Sequence, residues 1–467
     1  MNSQPLVKVT LISLAAALGG FLFGFDSGVI NGTVGALQLA FSSTAVGTGF
    51  NVASMLLGCA IGAFFAGTLA DKAGRRPVLL ITALLFIISA WGSGIADSSA
   101  GFVLFRVLGG LAVGAASILV PAYIGEIAPA SLRGRLISLQ QLMIVLGLFF
   151  AFLSNYIIAG AAGSAIAPLW AGFNAWQWMF WVEIIPASLF FLCLLLVPES
   201  PRYLVAAAKP QQAAAVLLTL APAENAEAKV ADIQSTLVAE RKPALRDLLT
   251  RNGKLQPIVW VGIMLAVLQQ FTGINVVFYY GATLWQAAGF NEADALAVNV
   301  IGGAVNISFT LLAIALVDKV GRKQLLMIGA LGQAVMLAIL AAIFAMAELS
   351  AAGNLRLDGN MGVYALLAAN GYIAFFATTW GPIVWVMLGE MFPNQLRGAA
   401  LAVCGILHWL SNFTITMSFP VLLASLGLGW AYGIYAAFGL LAFFLVKKLL
   451  QETRGRSLEQ ISRDAMQ

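Results

Sequence analysis

The sequence predicts an all-α membrane protein, with about twelve transmembrane helices in two six-helix halves joined by a short helical linker. Of its 467 residues, 61% are hydrophobic and only 10% are charged, and the mean hydropathy is +0.92. Soluble domains carry roughly 25% charged residues, and their surface-to-volume ratio does not let them bury this much apolar surface. Lipid as the surrounding solvent removes the difficulty, since a spanning helix needs ~20 mostly apolar residues.

Apolar runs of this length recur along the whole chain. By hydropathy, we expect the spans at residues 9–31, 46–69, 78–97, 101–124, 136–160, 176–197, 256–287, 294–317, 324–347, 362–392, 399–421 and 429–449. The first run lacks a cleavage-site pattern, so we interpret it as a retained span and not as a signal peptide.

The distribution of basic residues predicts the orientation of the chain. Of the 25 lysines and arginines, all but Arg106 and Arg356 lie at the amino end, in alternate loops or in the carboxyl tail. This positive-inside bias predicts that both termini are cytoplasmic. The net charge of +5 reflects the same bias and calls for no nucleic-acid partner. We expect a bacterial inner membrane, with a eukaryotic plasma membrane as the alternative.

Several other classes of protein find no support in the sequence. The three cysteines, Cys59, Cys193 and Cys404, all fall within spans, so we interpret them as small buried apolar residues, with no disulfide framework or metal site. The sequence contains no G-x-x-x-x-G-K-[ST] loop that would bind ATP. No metal cluster, catalytic triad or cofactor loop is evident, so we expect neither an enzyme nor a cofactor.

One polar segment, 198–255, divides the chain into an amino-terminal half, 1–197, and a carboxyl-terminal half, 256–467. The segment is rich in Ala, Glu, Lys and Arg, and it is typical of short amphipathic cytoplasmic helices. The halves repeat each other: DKAGRRPVLL matches DKVGRKQLLM, GEIAPASLRG matches GEMFPNQLRG, and PESPR matches QETRG. Parallel six-span repeats are the architecture of a large class of secondary transporters, whose substrate site lies between the halves.

The repeated motifs place acidic and basic residues together at the cytoplasmic helix ends. We expect them to form a charge latch that favours the outward-open state and breaks when the halves rock; the alternative is ordinary surface ion pairs, worth ~0–1 kcal/mol each. The candidates are Asp71, Arg75, Arg76, Glu126, Arg133, Glu199, Arg202, Asp318, Arg322, Glu390, Arg397, Glu452 and Arg454.

In this order, the motifs resemble those of the sugar porter branch of the major facilitator superfamily. The matching stretches are DKAGRR, PAYIGEIAPASLRG, PESPRYL, QQFTGINVVFYY, DKVGRK, WGPIVWVMLGEMFPNQLRG and QETRG, and they cover nearly the whole chain. Two positions depart from the family pattern: Gln451 stands where Pro is usual, and Gln177 where Arg is usual. The resemblance implies a monosaccharide transporter similar to bacterial xylose– and hexose–proton symporters.

Three ionisable residues lie inside spans at one depth: Asp26, Arg106 and Glu183. Unpaired charge in a membrane is costly, so such residues usually pair and usually mark a function. Protonation of Asp26 would cancel its attraction to Arg106, as a proton relay requires; the alternative from chemistry alone is a permanent structural ion pair. The resemblance favours the relay, because proton-coupled sugar porters carry an Asp–Arg pair at these positions and a carboxylate matching Glu183.

Sugars present hydroxyl groups and an apolar ring face, so a sugar site should offer amides and aromatic rings. Each amide could instead make a helix–helix hydrogen bond, and each Trp could be an interfacial ring. The resemblance implies that the substrate-binding set is Gln141, Gln269, Gln270, Asn275, Asn306, Trp385 and Trp409, with Phe23, Tyr279 and Asn412 near the site or at its outer gate. We expect His408 to join this set, and Tyr280 to close the outer path together with Tyr279. A break at Gly273 would let Gln270 and Asn275 converge.

Two positions bear on the identity of the sugar. His408, the chain's only histidine, stands where relatives usually carry an amide, and we expect a neutral imidazole beside the sugar; a second proton site is the alternative. Leu148 is aliphatic, as in facilitative glucose transporters, whereas the xylose symporter has an amide there. We therefore expect the sugar of this proton symporter to be a hexose. We also expect the protein to function as a monomer. The alternatives are a facilitative uniporter, a pentose symporter, an exporter or a nutrient receptor.

Overall fold

A computed structural model describes residues 3–129, 132–220, 225–239, 245–250, 252–349, 355–357 and 360–453. Eleven helices in it are long and apolar enough to cross a membrane. The last of these, Gln395–Leu449, is 55 residues long, which is about twice the length that a bilayer needs. It therefore accounts for two spans, and the twelve predicted spans are confirmed.

Among its described residues, the amino-terminal half contains eight helices. α1 is followed by a short 3-10 turn at Ile30–Gly32, and α7 and α8 together form the sixth span. The helices are α1 (Ser3–Val29), α2 (Val34–Ala40), α3 (Ala45–Ala73), α4 (Arg75–Ile95), α5 (Ser99–Ile127), α6 (Arg133–Ala162), α7 (Ala175–Trp181) and α8 (Ile184–Leu196).

Three short helices follow in the part of the linker that the structure describes: α9 (Pro201–Ala206), α10 (Pro210–Leu220) and α11 (Ala226–Ala239). They bury a small apolar cluster of their own, formed by Leu204, Val205, Ala213 and Val230. A 3-10 turn at Leu245–Leu248 precedes the second half.

The described part of the carboxyl-terminal half contains seven helices and one short ribbon of two antiparallel strands, Glu348–Leu349 and Leu355–Arg356. The ribbon lies in the predicted 348–361 loop. The helices are α12 (Pro257–Phe271), α13 (Ile274–Ala287), α14 (Glu292–Val320), α15 (Arg322–Met346), α16 (Met361–Thr378), α17 (Trp380–Met391) and α18 (Asn394–Leu449).

The turn between the last two spans is tighter than the predicted loop at 422–428. It is a sharp kink within α18 at Gly427, whose φ of 78° and ψ of 173° are not helical. Glycine has no Cβ and adopts positive φ at little cost. One residue therefore separates the last two spans where the sequence suggested seven.

Two spans are broken in mid-membrane. α12 and α13 meet at Gly273, which adopts a left-handed conformation with φ 85°, so the predicted break is confirmed. The second break lies just before Gly381 and Pro382: α16 ends at Thr378, and the irregular residue is Thr379, with φ −129° and ψ −83°. The ring of a helical proline clashes with the carbonyl of residue i−4, which here is Thr378. The break consequently lies before Pro382, which joins the first turn of α17.

Small residues bring neighbouring helices into backbone contact. A Cβ at Gly24 of α1 would lie 1.8 Å from the carbonyl oxygen of Ile144 in α6, and one at Gly110 of α5 would lie 1.9 Å from that of Met55 in α3. Only glycine permits these approaches. They place α1 and α5, which carry Asp26 and Arg106, firmly inside the amino-terminal half.

The bundle has two distinct ends. We call the end where α3 meets α4 and α14 meets α15 the charged end, because Arg75, Glu126, Arg322 and Glu390 lie there. The other is the opposite end, where α1 ends. Near the opposite end the halves touch: Phe152 and Phe278 lie 6.3 Å apart between ring centroids, and the Glu292 carboxylate accepts a 2.8 Å hydrogen bond from the backbone N–H of Ala165.

Candidate functional site

An ion pair between Asp26 of α1 and Arg106 of α5 is enclosed within the amino-terminal half, with each side chain only 1% exposed. Arg106 Nη1 donates to Asp26 Oδ1, and Nη2 donates to the Asp26 backbone carbonyl at 3.2 Å. The guanidinium also lies 2.8 Å from the sulfur of Met55 and 5.7 Å from the ring centroid of Phe180. The cation therefore holds both the carboxylate and the backbone of one turn of α1.

Three buried polar atoms in and beside this pair have no hydrogen-bond partner among the described residues: Asp26 Oδ2, Arg106 Nε and Ser89 Oγ. A Cβ at Gly109 would lie 3.0 Å from Asp26 Oδ2 and 2.4 Å from Ser89 Oγ, so α5 approaches these two oxygens closely and only glycine fits there. One oxygen of Asp26 is thus held by Arg106, while the other has no such partner and is available to a proton.

Glu183 is the second buried carboxylate of this region. It lies at the junction of α7 and α8 and is 1% exposed, and within the described part of the chain neither carboxylate oxygen has a hydrogen-bond partner. Its electrostatic neighbours are Asp26 and Arg106. With both carboxyls ionised the three residues would carry a net charge of −1, which is costly in a buried site. The cluster becomes neutral when it holds one proton.

The predicted amides converge only in part. Gln270 Nε2 lies 3.3 Å from each ring nitrogen of His408, and Gln270 Oε1 accepts a hydrogen bond from Asn275 Nδ2. Gln270 and Asn275 meet across the left-handed turn at Gly273, which separates α12 from α13, and His408 joins them from α18. The group presents amide and imidazole edges in mid-span, which is the chemistry that sugar hydroxyls require.

Gln269 turns away from this group. Its Nε2 donates to the backbone carbonyls of Trp380 at 2.6 Å and Gly381 at 3.3 Å, which are the carbonyls just after the break in the tenth span. Gln141 is half-buried and Asn306 is buried, and neither side chain makes a hydrogen bond within the described part of the chain. In this conformation the three amides lie outside the Gln270 group.

Aromatic rings adjoin that group in a continuous row. His408 lies between Trp385, at 5.0 Å between ring centroids, and Trp409, at 5.4 Å. Trp409 in turn meets Phe23 of α1 at 5.8 Å. The row connects the tenth and eleventh spans to the first span, and so crosses between the halves. Trp385 is 40% exposed, so its ring face is open to an apolar partner.

Comparison with known proteins agrees with this geometry. The model of the family "Sugar (and other) transporter" matches residues 12–465. This chain belongs to that family. A glucose transport protein from Synechocystis is 50% identical over 454 residues, covering 97% of each chain, and the D-xylose-proton symporter of Escherichia coli K12 is 38% identical over 493 residues, covering 98% of this chain and 96% of that one.

Solved structures of the same family share the fold. The xylose transporter of Escherichia coli in a partially occluded inward-open conformation matches with a TM-score of 0.82 at 36% identity, over 96% of this chain and 99% of that one. The same symporter bound to 6-bromo-6-deoxy-D-glucose matches with a TM-score of 0.79 at 37% identity, over 99% of each chain.

Apart from the phenylalanine already placed in the aromatic row, the residues expected near the site or at its outer gate lie further along α13 and α18. The side chains of Asn412 and Ser27 lie close to the hydroxyl of Tyr279, so this tyrosine faces the first span. Tyr280 instead donates to the carbonyl of Thr416 at 3.0 Å and packs within its own half. Among the described residues, the hydrogen bond of Tyr280 stays within its own half, whereas Tyr279 lies beside Ser27 of the other half.

The charged residues of the repeated motifs form one cluster at the charged end of each half. In the first, Arg75 pairs with Asp71 and with Glu126 at 3.0 Å, and Glu199 accepts from the backbone N–H groups of Arg75 and Arg76. Glu199 thereby caps the amino terminus of α4, where the helix dipole favours an anion.

The second cluster repeats the first. Arg322 pairs with Glu390 at 3.0 Å, and Glu452 caps α15 by accepting from the backbone N–H groups of Arg322 and Lys323. This capping role of Glu199 and Glu452 was missed from the sequence.

The remaining members of the predicted latch have varied surroundings. Arg133 is exposed, Arg202 is half-buried, and Arg397 donates to the carbonyl of Phe392 at 3.2 Å. The side chain of Asp318 and all of Arg454 lie outside the described residues. The ion pairs of Arg75 and Arg322 lie within their own halves, and a latch between the halves stays a prediction.

Three asparagines near the opposite end were also missed from the sequence. Asn31 bonds to Phe278, Ala282 and Asn299, all in the other half, and Asn155 donates to the carbonyl of Val29. Each is an amide within or beside an apolar run, which is the signal that could have found them, since buried amides in membranes usually make a specific contact.

Proposed function

We propose that this chain imports a monosaccharide, a hexose such as glucose, by proton symport through alternating access. The observation that carries the proposal is the enclosed Asp26–Arg106–Glu183 cluster, which is neutral only when it holds one proton. A sugar uniporter needs no such group. The Gln270–His408 group with its aromatic row supplies the matching neutral, hydrogen-bonding site. A glucose transport protein and a xylose–proton symporter among the relatives support the same class of substrate.

The first step follows from the two oxygens of Asp26. A proton that binds Oδ2 removes the negative charge that attracts Arg106, and Arg106 keeps only its bond to the Asp26 carbonyl and its contacts with Met55 and Phe180. The guanidinium is then free to compensate Glu183. This exchange changes how α5 holds α1. The Phe23 ring of α1 packs against Trp409, so α1 also contacts the aromatic row.

The sugar would bind between the halves, beside Gln270, Asn275 and His408, with its apolar face on Trp385. Phe23 joins this region to the helix that carries Asp26, so occupancy of the site and protonation act on the same helix. Leu148 is buried against α1 and places an aliphatic side chain where the xylose symporter has an amide, which supports a hexose.

For the topology, we propose that the charged end is cytoplasmic, with both termini inside, in a bacterial inner membrane. The halves 1–197 and 256–467 would rock as two units about the 198–255 linker. Gln141, Gln269 and Asn306 would join the sugar site in another conformation of this cycle, and the charge clusters would act as a latch in the outward-open one. All residues proposed for the site belong to one chain, which supports the monomer as the functional unit, with lipid, proton and sugar as its partners.

The test is uptake of labelled glucose into liposomes containing the purified protein, with and without an inward proton gradient. Wild type should accumulate glucose only with the gradient, whereas Asp26→Asn should lose accumulation and retain counterflow. The control is Asp97→Asn, because Asp97 is an exposed carboxylate outside the cluster. Gradient-independent equilibration by the wild type would show a uniporter, and transport of xylose alone would show a pentose symporter.

A further inference from the structure

The side chain of Asn31 connects the end of the first span to the second half of the protein. Asn31 lies in the 3-10 turn that follows α1 and is 1% exposed. Its Nδ2 donates to the carbonyl of Phe278 at 2.8 Å, and its Oδ1 accepts from the backbone N–H of Ala282 at 3.2 Å and from Asn299 Nδ2 at 3.1 Å. All three partners belong to the carboxyl-terminal half.

The chemistry of this contact suits a primary amide. Phe278 and Ala282 are four residues apart in α13, so their carbonyl and N–H groups are the two ends of one helical hydrogen-bonding step. An amide side chain carries its acceptor and its donor group on separate atoms and can match both. An aliphatic side chain at this position could not do so.

A glycine makes room for the contact. A Cβ at Gly281 would lie 2.0 Å from Asn299 Oδ1 and 2.7 Å from Asn31 Nδ2. Such distances are far below van der Waals contact, so any side chain at this position would push the two amides apart. Asn31, Asn299 and Gly281 therefore act as one unit, which we call the amide clasp.

The amide clasp lies one and a half helical turns beyond Asp26. Arg106 holds the Asp26 carbonyl at 3.2 Å, and Asn155 of α6 holds the Val29 carbonyl at 2.9 Å. These two bonds fasten the end of α1 to its own half, and the amide clasp fastens the same end to the other half. Release of Arg106 on protonation of Asp26 would loosen the turn from which Asn31 reaches across.

We infer that Asn31 is a positioning residue: through the amide clasp it holds the opposite end of the bundle closed, and it transmits the state of the Asp26–Arg106 pair to that closure. The inference rests on the proposed function for what the closure serves. The contact itself requires neither sugar nor proton. Its loss is expected to favour conformations that are open at the opposite end.

The test measures the separation of the halves directly. Spin labels would be placed by Ala161→Cys and Ala293→Cys, two exposed positions at the opposite end, one in each half. The background would replace Cys59, Cys193 and Cys404. Double electron–electron resonance in lipid nanodiscs without sugar then gives the populations of short and long distances.

Asn31→Ala should raise the ratio of long to short distances by about tenfold, because it removes three hydrogen bonds across the halves, two of them to the backbone of α13. Gly281→Ala should shift the ratio in the same direction, and Asn299→Ala, which removes one of the bonds, by less. The matched comparison is Asn155→Ala, which removes a bond to the same turn within one half. It loosens the turn but leaves the three bonds of Asn31 in place, so it should shift the ratio in the same direction and by less than Asn31→Ala.

Two results would overturn the inference: equal shifts for Asn31→Ala and Asn155→Ala, or unchanged distances in both Asn31→Ala and Gly281→Ala. Because Gly281→Ala deletes no polar group, it tests the amide clasp even if Asn31→Ala does not fold. The distances are measured without transport. The distance measurement can therefore reject the role of the amide clasp without rejecting proton symport, and transport assays can reject symport without rejecting the amide clasp.

Discussion

Replacing Arg106 by methionine would show how strongly the fold depends on the cation between Asp26 and Glu183. Methionine keeps an unbranched apolar stem and removes the charge. All three side chains are 1% exposed, so water cannot compensate the two carboxylates. Removing one partner of a buried ion pair costs about 3–5 kcal/mol, because the remaining charge is left uncompensated. We expect Arg106→Met to lower the free energy of unfolding by about this amount.

The companion variant, Asp26→Asn with Arg106→Met, removes both charges of the pair. It should recover more than about half of the loss, since replacing a whole buried pair is often close to neutral, while Glu183 remains uncompensated. The assay is thermal and denaturant unfolding of the purified protein in detergent, analysed as a double-mutant cycle. Arg135→Met, at an exposed position of α6, is the control and should change stability by less than about 0.5 kcal/mol.

A free energy of unfolding for Arg106→Met within about 1 kcal/mol of the wild-type value would contradict this expectation, since the ion pair would then contribute no more than an exposed one. A double variant with the same free energy of unfolding as Arg106→Met would also contradict it. In that case the loss would come from packing and not from the uncompensated carboxylate of Asp26.

Three further predictions concern other parts of the molecule. Gly110→Ala places a Cβ 1.9 Å from a backbone oxygen of Met55, so we expect a loss of at least about 1–3 kcal/mol, measured as the yield and thermal stability of monodisperse protein. His408→Gln should keep transport with a glucose KM within about tenfold of wild type, because an amide replaces the hydrogen-bonding edge, whereas His408→Ala should raise KM by more than about tenfold; equal KM values would contradict this role. Glu126→Gln breaks a half-buried pair with Arg75 and should cost about 1 kcal/mol in thermal unfolding, an effect that 1 M salt should diminish if it is electrostatic.

The features that the sequence predicts well are those that depend on one helix or on a repeated pattern. The spans follow from the length of the apolar runs, and the break at Gly273 follows from a residue with no Cβ. Asp26 and Arg106 meet because charged residues at one membrane depth have little choice of partner. In each case a strong local or electrostatic constraint leaves few alternatives.

The features that the sequence does not reveal depend on what faces a residue in space. Gln269 and Gln270 are adjacent and chemically identical, but successive helical residues point about 100° apart, and one meets the carbonyls after Thr379 while the other meets His408. Likewise, Glu199 resembles a surface ion-pair residue in the sequence, and the structure places it on the amino terminus of α4. Tertiary neighbours decide these roles.

The central claim is that Asp26 carries the proton that moves with the sugar. The most direct measurement is proton uptake itself: glucose is added to lightly buffered proteoliposomes, and the internal pH is followed with an entrapped dye. Wild type should acidify the interior on addition of glucose, and Asp26→Asn should show none of this acidification while still exchanging labelled glucose by counterflow. Glucose-driven acidification that persists in Asp26→Asn would contradict the claim.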